Sequence, residues 1–376
     1  MLKRPKLLLS LITILVSLFF WGFFYLNLPV RIGFPSSNLL SVYANYDGPN
    51  YMIIAKCGYN SDCIRSQFSL PQPLEYYPAH LPGYPLIIRI FSYIFTSTQA
   101  MLFATLLGSI FLTLSFYQLL NLFFNTKKSF CLTLIFLFFP ARLFILRQIG
   151  APETWFLGFT IASIYHFKKQ KYLVSALMAA LAQFFKSPGI ILFAAYFFVA
   201  LTEFLKTKKI IPVLNKYIYY LLVPITAIMV FSLYQLQTGD FWAYFHSGDN
   251  FHLSFLPYTV FISNRSWINT IWLEDVIYIY LIAYFGVYKL YKKFKLDILV
   301  VYPALFLLAT IMVAHRDISR YLAPVYPFLF IAYGKTLNSK PLKTIFILLL
   351  PAIFLYALNF IIGNTAPIAD WTPYFN

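Results

Sequence analysis

Apolar runs long enough for membrane helices recur along the whole chain, separated by connections that hold most of its charged residues. A helix needs about 20 apolar residues to cross the hydrocarbon core of a bilayer. The pattern predicts eleven membrane-spanning helices, near residues 7–28, 99–122, 129–145, 153–167, 172–186, 189–205, 217–237, 271–289, 297–314, 321–335 and 343–362. Two connections are long, 29–98 and 238–270, and we expect interfacial helices in the first. The sequence thus predicts an all-α polytopic membrane protein, with residues 1–376 forming a single integral membrane domain and no separate soluble domain.

Composition supports this class of protein. Of the 376 residues, 60% are hydrophobic and 11% are charged, whereas soluble domains devote about a quarter of their residues to charge. This excludes a water-soluble globule. The formal net charge is +17, but the basic residues lie between apolar runs rather than on one solvated face, as they would in a nucleic-acid-binding protein. We therefore expect the chain to partner with a membrane and not with nucleic acid.

The distribution of basic residues predicts an orientation. When successive connections are assigned to alternate sides, 19 of the 29 Lys and Arg residues fall on one side, and 18 of those 19 are lysines. Because cytoplasmic loops are enriched in basic residues, the N-terminus is predicted to be cytoplasmic. The two long loops are then outside, at the outer face of the cell membrane.

The outer side is rich in arginine. Its arginines are Arg31, Arg65, Arg89, Arg142, Arg147, Arg265, Arg316 and Arg320. The planar guanidinium fork suits phosphate better than the lysine ammonium group does, so the set indicates an anionic ligand outside. The alternative for each arginine is an ion pair with an outer acid that holds the loops together.

The first outer loop contains an acid directly before a short predicted helix. Asp47 precedes Gly48-Pro49, which opens the helix, and Gly58 ends it. Apolar and aromatic residues at 51, 54 and 55 form a stripe that predicts a helix lying along the membrane surface. A second interfacial helix is predicted at 85–95, too short to span. Asp47 either serves a reaction at the lipid boundary or only caps its helix.

Other outer segments carry candidate chemistry with structural alternatives. Glu153, after Pro152, either caps the following helix or takes part in a reaction. The turn 315–321 brings several charged residues to the membrane edge, where charge is costly. The aromatic stretch 239–250 is more typical of a membrane anchor than of a substrate platform.

The three cysteines exclude a disulfide scaffold and, since no CxxC occurs, a Cys-based metal site. Cys57 and Cys63 share the first outer loop and could pair in an oxidising compartment, but two unlinked thiols fit the sequence nearly as well. Cys131 lies within a predicted span and resembles a small apolar residue.

Two motifs in the first outer loop resemble a known superfamily. Residues 46–59 read Tyr-Asp-Gly-x-x-Tyr-x-x-Ile-Ala-x-x-Gly-Tyr, and residues 77–89 read Tyr-Pro-x(5)-Tyr-Pro-Leu-Ile-Ile-Arg. They resemble the GT-C superfamily of polytopic glycosyltransferases, above all the glycosylphosphatidylinositol mannosyltransferase II type and its prokaryotic relatives. The stretches 239–246 and 320–327 also look like that group. The resemblance implies a GT-C-like bundle of about eleven membrane helices.

The resemblance also implies an activity. A GT-C enzyme would move a sugar, mannose or another hexose, from a polyprenyl-phosphate donor to a hydroxyl of a lipid, glycan or protein acceptor on the outer face, with inversion. The implied catalytic acids are Asp47, as general base, and Glu153. The implied donor-phosphate residues are Arg89, His315, Arg316, Arg320 and Tyr321, and the implied acceptor or loop contacts are Tyr51, His80, Asp240 and His246.

One departure from the superfamily pattern concerns metal. Many members have a paired acid in this loop, but Asn45 stands two positions before Asp47. No cofactor is expected for this reason, and a divalent metal is a less favoured alternative.

Two other functions remain possible from the sequence. A different envelope enzyme, such as a polysaccharide polymerase or ligase, also handles lipid-linked glycans but would not be expected to show the 46–59 motif. A secondary transporter would place ionisable residues at the bilayer midplane and usually show paired halves, whereas the acids here cluster in loops and no internal repeat is evident.

Overall fold

The computed structural model describes residues 4–69, 72–249, 252–262, 264–270 and 272–375. Within these ranges the chain is helical and has no β-strand, only two isolated bridges, Asn45 with Thr365 and Leu253 with Val313. The α-helices are α1 Pro5–Tyr25, α2 Leu39–Tyr43, α3 Gly48–Cys57, α4 Ser61–Gln67, α5 Gly83–Phe91, α6 Ser97–Leu120, α7 Thr126–Phe138, α8 Ala141–Leu146, α9 Glu153–Lys168, α10 Tyr172–Phe185, α11 Ile190–Thr207, α12 Ile210–Tyr217, α13 Leu222–Thr238, α14 Ala243–His246, α15 Leu273–Phe294, α16 Ile298–Thr310, α17 Ile318–Tyr321, α18 Tyr326–Ala332, α19 Gly334–Leu337, α20 Lys340–Gly363 and α21 Thr372–Phe375. Short 3-10 helices lie at Leu28–Ile32, Leu74–Ala79, Ser187–Gly189, Ile218–Leu221, Thr259–Phe261 and Ser266–Thr270.

Five helical stretches are long and apolar enough to cross a membrane. They are Pro5–Tyr25, Ser97–Leu120, Ser187–Thr207, Ile210–Thr238 and Lys340–Gly363. The protein is therefore a helical membrane protein. The count of eleven spans is not confirmed, because the six other predicted spans coincide with helices that are shorter, broken or more charged. For example, α9, α10 and α16 have 16, 14 and 13 residues, or about 20–24 Å of helix against a hydrocarbon core of about 30 Å.

Proline divides one of the predicted spans. The predicted helix 129–145 is observed as α7 and α8, separated by Phe139 and Pro140. Pro has no backbone N–H and its ring clashes with the preceding turn, so it ends one helix and is tolerated before the first turn of the next. The break carries the chain inward, and five of the six residues of α8 are buried.

Helix α3 lies inside the protein, which corrects the expectation of a surface helix with a lipid-facing stripe. Its residues 48–55 are all buried, not only the stripe at 51, 54 and 55. The helix packs against α5 and α6, so the neighbouring helices cover the faces that the sequence left open. The second short helix is observed as α5, two residues earlier than predicted, and exposes the apolar side chains of Leu86 and Ile90.

The segment that follows α20 returns to the first long loop. Asn45 forms an antiparallel bridge with Thr365 and donates from its side-chain amide to the carbonyl of Ile361 at 2.8 Å. The backbone N–H of Ala366 donates to the carbonyl of Ala44 at 2.8 Å. The loop after α1 and the segment after α20 therefore lie at the same end of the bundle. We name it the cavity end, because a charged cavity opens there.

Candidate active site

A charged cavity of about 390 Å³ opens at the cavity end of the bundle. Five separate parts of the chain form its wall: the first long loop, the junction of α10 with α11, helix α14, the turn at α17 and the segment after α20. The lining residues are Tyr46, Asp47, Tyr51, Gln72, Tyr76, Ala79, His80, Lys186, Tyr244, His315, Arg316, Asp317, Arg320, Tyr321, Asn364, Thr365, Ala366 and Pro367.

The carboxylate of Asp47 faces this cavity and does not cap α3. Asp47 occupies the position before the helix, but its side chain makes no capping hydrogen bond. Its Oδ1 lies 3.5 Å from Nε2 of His80, its Oδ2 lies 3.9 Å from Nη2 of Arg320, and 28% of the side chain remains exposed. The alternative that Asp47 only caps its helix is therefore wrong.

The surroundings of Asp47 keep it ionised. Burial alone raises the pKa of Asp47, but the hydrogen bond from His80 and the charges of His80, Arg320 and Lys186 outweigh that effect and hold the pKa at about 2. At neutral pH the carboxylate therefore carries its charge and can accept a proton.

Glu153 lies behind the cavity wall rather than in it. The side chain is 2% exposed. Its Oε1 accepts from Nζ of Lys186 at 2.6 Å and from Nε and Nη2 of Arg320 at 2.8 Å. Among the described residues Oε2 has no hydrogen-bond partner. Glu153 thus holds two cations of the site from outside the cavity lining, and its catalytic role stays a prediction.

The turn at α17 places Arg320 at the centre of the cavity wall. The guanidinium of Arg320 lies over the ring of Tyr46, with 4.3 Å from Cζ to the ring centroid. The hydroxyl of Tyr46 donates to Asp317 at 3.1 Å, and Asp317 in turn pairs with Arg142. These contacts fix Arg320 from two sides. Arg316 is exposed, lines the cavity and has no ion pair within the described part of the chain.

His315 is a neutral hydrogen-bonding residue. Burial lowers the pKa of His315 to about 4, against the opposing charge of Asp317. Its Nδ1 accepts from the backbone N–H of Asp317 at 3.0 Å, so the proton of the neutral ring is on Nε2. His315 can therefore donate one hydrogen bond to an anion but adds no positive charge at neutral pH.

The structure brings some predicted residues to the cavity and leaves others outside. Tyr51, His80 and Tyr321 line it. Arg89 does not, because its Nε and Nη2 donate to the carbonyls of Ala55 and Lys56 at the end of α3. Arg89 therefore caps the C-terminal end of α3 and lies outside the cavity in which the phosphate site was predicted.

Asp240 and His246 also lie outside the cavity lining. His246 Nδ1 and Asp240 Oδ2 are 2.7 Å apart, and Asp240 Oδ1 accepts from the backbone N–H of Trp242. The pair closes the turn between α13 and α14, which satisfies both side chains locally. Their predicted contact with an acceptor therefore stays a prediction that the cavity does not support.

An apolar groove of about 610 Å³ adjoins the charged cavity. Tyr244 and Tyr321 line both spaces. The other residues of the groove are mostly apolar and come from α11, α13 and α16 together with the segment around α14. A ligand with a charged head and a long apolar tail fits this pair of spaces.

Several cavity residues were not predicted from the sequence. They are Tyr46, Gln72, Tyr76, Lys186, Tyr244, Asp317 and residues 364–367. Lys186 had one weak signal, since it is one of only two lysines assigned to the outer side. The segment after α20 had none, because only tertiary contact brings it to the loop of Asp47.

The two cysteines of the first loop are bonded to each other. Cys57 and Cys63 form a disulfide with 5.6 Å between their Cα atoms. The bond links the end of α3 to α4. It settles the alternative that the sequence left open.

The fold and the cavity define a helical membrane protein with a charged cavity beside an apolar groove. In the described ranges no group of three or more His, Cys, Asp or Glu side chains is placed to hold a metal ion. No protein-family model matches the chain, and no curated protein sequence matches it.

Proposed function

We propose that the protein is a GT-C-type glycosyltransferase. It transfers a sugar, mannose or another hexose, from a polyprenyl-phosphate donor to an acceptor hydroxyl on a lipid, a glycan or a protein. Asp47 acts as the general base, and the anomeric configuration is inverted.

The observation that carries this proposal is the placement of Asp47. An ionised carboxylate that caps no helix faces a cavity with Arg316 and Arg320 in its wall, and that cavity adjoins an apolar groove. Transfer from a lipid phosphate needs these three things together: a base for the acceptor proton, cations for the departing phosphate and an apolar place for the lipid chain.

The proposed reaction follows from these positions. The acceptor oxygen attacks the anomeric carbon from the side opposite the phosphate, and its proton passes to Asp47. The bond between that carbon and the phosphate oxygen breaks, and the electron pair stays on the phosphate. Arg320, held by Glu153 and Tyr46, faces the growing charge without having to rearrange. We propose that these side chains suffice without a cofactor.

We further propose a GT-C-like bundle of about eleven crossings in the plasma membrane, with a cytoplasmic N-terminus and the active site on the outer face. A helix or helix pair occurs at each of the eleven predicted positions. The disulfide between Cys57 and Cys63 supports an oxidising, outer location of the first loop. The lysine-rich connections would then face the cytoplasm.

The test replaces Asp47 with asparagine. Asp47→Asn keeps the shape but removes the proton acceptor, so transfer from a synthetic polyprenyl-phosphate mannose or glucose should fall by roughly a hundredfold or more, the range for losing a positioned base. The matched control is Asp62→Asn in the first turn of α4, outside the cavity lining. Mass spectrometry of lipid-linked sugars and glycans, in cells with and without the gene, identifies sugar and acceptor.

Two results would contradict the proposal. Near-normal transfer by a folded Asp47→Asn variant would remove Asp47 from catalysis. Unchanged lipid-linked sugars and glycans in cells lacking the gene, together with transport of a solute by the reconstituted protein, would favour a transporter instead.

A further inference from the structure

Lys186 stands where the charged cavity meets the apolar groove. It is the single residue between α10 and the turn Ser187–Gly189, and its backbone is extended, with φ −153° and ψ 135°. Successive side chains of an extended chain point to opposite sides. Lys186 accordingly lines the cavity, whereas Ser187 and Pro188 line the groove.

The hydrogen bond to Glu153 does not use all the donors of Lys186. One oxygen of Glu153 accepts from both Lys186 and Arg320, while Asp47 lies 3.9 Å from Arg320 on the cavity side. A lysine ammonium group has three donors. In the described part of the chain, Nζ of Lys186 makes one hydrogen bond, to Glu153. The side chain is 22% exposed. Lys186 therefore retains donors for an anion in the cavity.

We infer that Lys186 binds the phosphate of the lipid-linked donor, an inference that rests on the proposed function. A polyprenyl chain in the groove brings its phosphate to the junction, because burying an unpaired charge among apolar side chains is costly. The flexible stem of lysine lets Nζ leave the oxygen of Glu153 for a phosphate oxygen. Arg320 keeps its place on Glu153.

Lys186 acts on the leaving group and not on the acceptor. As the bond from the anomeric carbon to the phosphate oxygen breaks, the electron pair stays on that oxygen and the negative charge of the phosphate grows. Lys186 keeps its proton and donates hydrogen bonds to the phosphate, while Asp47 takes the proton of the acceptor. A contact that strengthens as charge develops lowers the barrier.

The experiment measures binding to the purified full-length protein in detergent. The probes are undecaprenyl phosphate and undecaprenol, which share a chain and differ in the charged head. Lys186→Met keeps the stem and removes the charge, so it should weaken binding of the phosphate roughly tenfold or more and leave binding of the alcohol unchanged. The control is Lys56→Met, whose ammonium group donates to the carbonyl of Pro373 outside the cavity lining, and it should match wild type.

A purely structural role predicts a different result. If Lys186 only neutralises Glu153, the double variant Lys186→Met with Glu153→Gln should bind undecaprenyl phosphate as well as wild type does. Our inference predicts that the folded double variant stays weak and that Lys186→Arg keeps most of the affinity. Restored binding in the double variant, or undiminished binding in Lys186→Met, overturns the inference. Equal binding of both probes by wild type instead overturns the proposed donor, so the two failures are distinguishable.

Discussion

His80 controls how readily Asp47 gains a proton. Its hydrogen bond lowers the pKa of Asp47, while its ring packs edge-on against Tyr51 and Tyr76 at 5.1 and 5.0 Å. Phenylalanine preserves those ring contacts and removes the hydrogen bond. We therefore expect His80→Phe to raise the pKa of Asp47 from about 2 toward its usual value near 3.8.

The pH dependence follows from the sign of that shift. Asp47 loses its activity as a base when the pH falls through its pKa, so the acid limb of kcat/KM should move to higher pH in His80→Phe. The stability that the low pKa contributes is present above about pH 4 and is lost between about pH 4 and 2. His246→Phe, outside the cavity lining, is the control, and an unshifted limb in His80→Phe would show that the hydrogen bond has no influence on catalysis.

The two arginines of the turn at α17 should respond differently to lysine. Arg320 donates from Nε and Nη2 to Glu153, and a lysine cannot reproduce two donors in one plane. Arg320→Lys should therefore lower kcat by roughly tenfold or more, since hydrogen bonds to a charged group are worth about 1.5–3 kcal/mol. The exposed Arg316→Lys should mainly raise KM for the donor. Steady-state kinetics on both variants decides, and equal, small effects would rule out a role for the Arg320 fork.

At the residue scale the sequence predicted what depends on local signals. Asp47 precedes a Gly-Pro helix start, and in the structure the helix begins there while the carboxylate makes no capping hydrogen bond. The roles of Arg89 and Glu153 were not predictable. Arg89, in the last turn of α5, fits a ligand or the end of another helix equally well, and Glu153, the first residue of α9, fits a helix start or a reaction. Lys186 follows an apolar run, where a lysine usually marks the end of a span.

At the scale of elements, a close contact between α5 and α10 supports the cavity wall. A Cβ atom on Gly83, the first residue of α5, would lie 2.8 Å from the carbonyl oxygen of Phe184 and 2.8 Å from the ring of Phe185. Gly83→Ala should therefore push the helices apart and destabilise the protein by about 1–3 kcal/mol, as overpacking does.

Thermal unfolding in detergent measures this effect, and the chain offers a matched control. A Cβ atom on Gly22 in α1 meets nothing within 4 Å, so Gly22→Ala should be neutral or stabilise by up to about 1 kcal/mol through helix propensity. If both variants unfold at the same temperature, α5 and α10 do not pack as closely as the fold requires.

The sequence predicted helices better than it predicted their burial. The apolar pattern alone does not distinguish a helix face covered by lipid from one covered by another helix. Helix α3 was therefore predicted to lie on the membrane surface, although α5 and α6 cover it. Length was overestimated where proline interrupts an apolar run, as at Pro140. The first error concerns tertiary packing, which the one-dimensional pattern does not contain, whereas the second overlooked a local signal, because proline ends a helix.

For the whole molecule, the bridge between Asn45 and Thr365 determines whether the number of membrane crossings between these residues is even or odd. The first loop and the segment after α20 share one end of the bundle, so the helices between them cross the membrane an even number of times. Single cysteines at Ser66 and Asp370 should both react with an impermeant maleimide in intact cells. A cysteine at Lys128, in the first turn of α7, should react only after permeabilisation.

The labelling needs a background in which Cys131 is replaced by alanine and the disulfide is intact. Opposite accessibility of residues 66 and 370 would contradict the fold itself. Protection of both, with residue 128 exposed, would keep the fold and reverse the proposed orientation.

The return of the chain after α20 also determines when the cavity can form during synthesis. The side chain of Asn45 cannot form its hydrogen bond until Ile361, which is 316 residues further along the chain, has been synthesised. At ordinary elongation rates that delay is on the order of half a minute. During this time the nascent protein holds Asp47 and His80 in a loop whose facing wall, residues 364–367, has not yet been translated. The complete cavity wall can therefore form only after α20 and residues 364–367 have been synthesised.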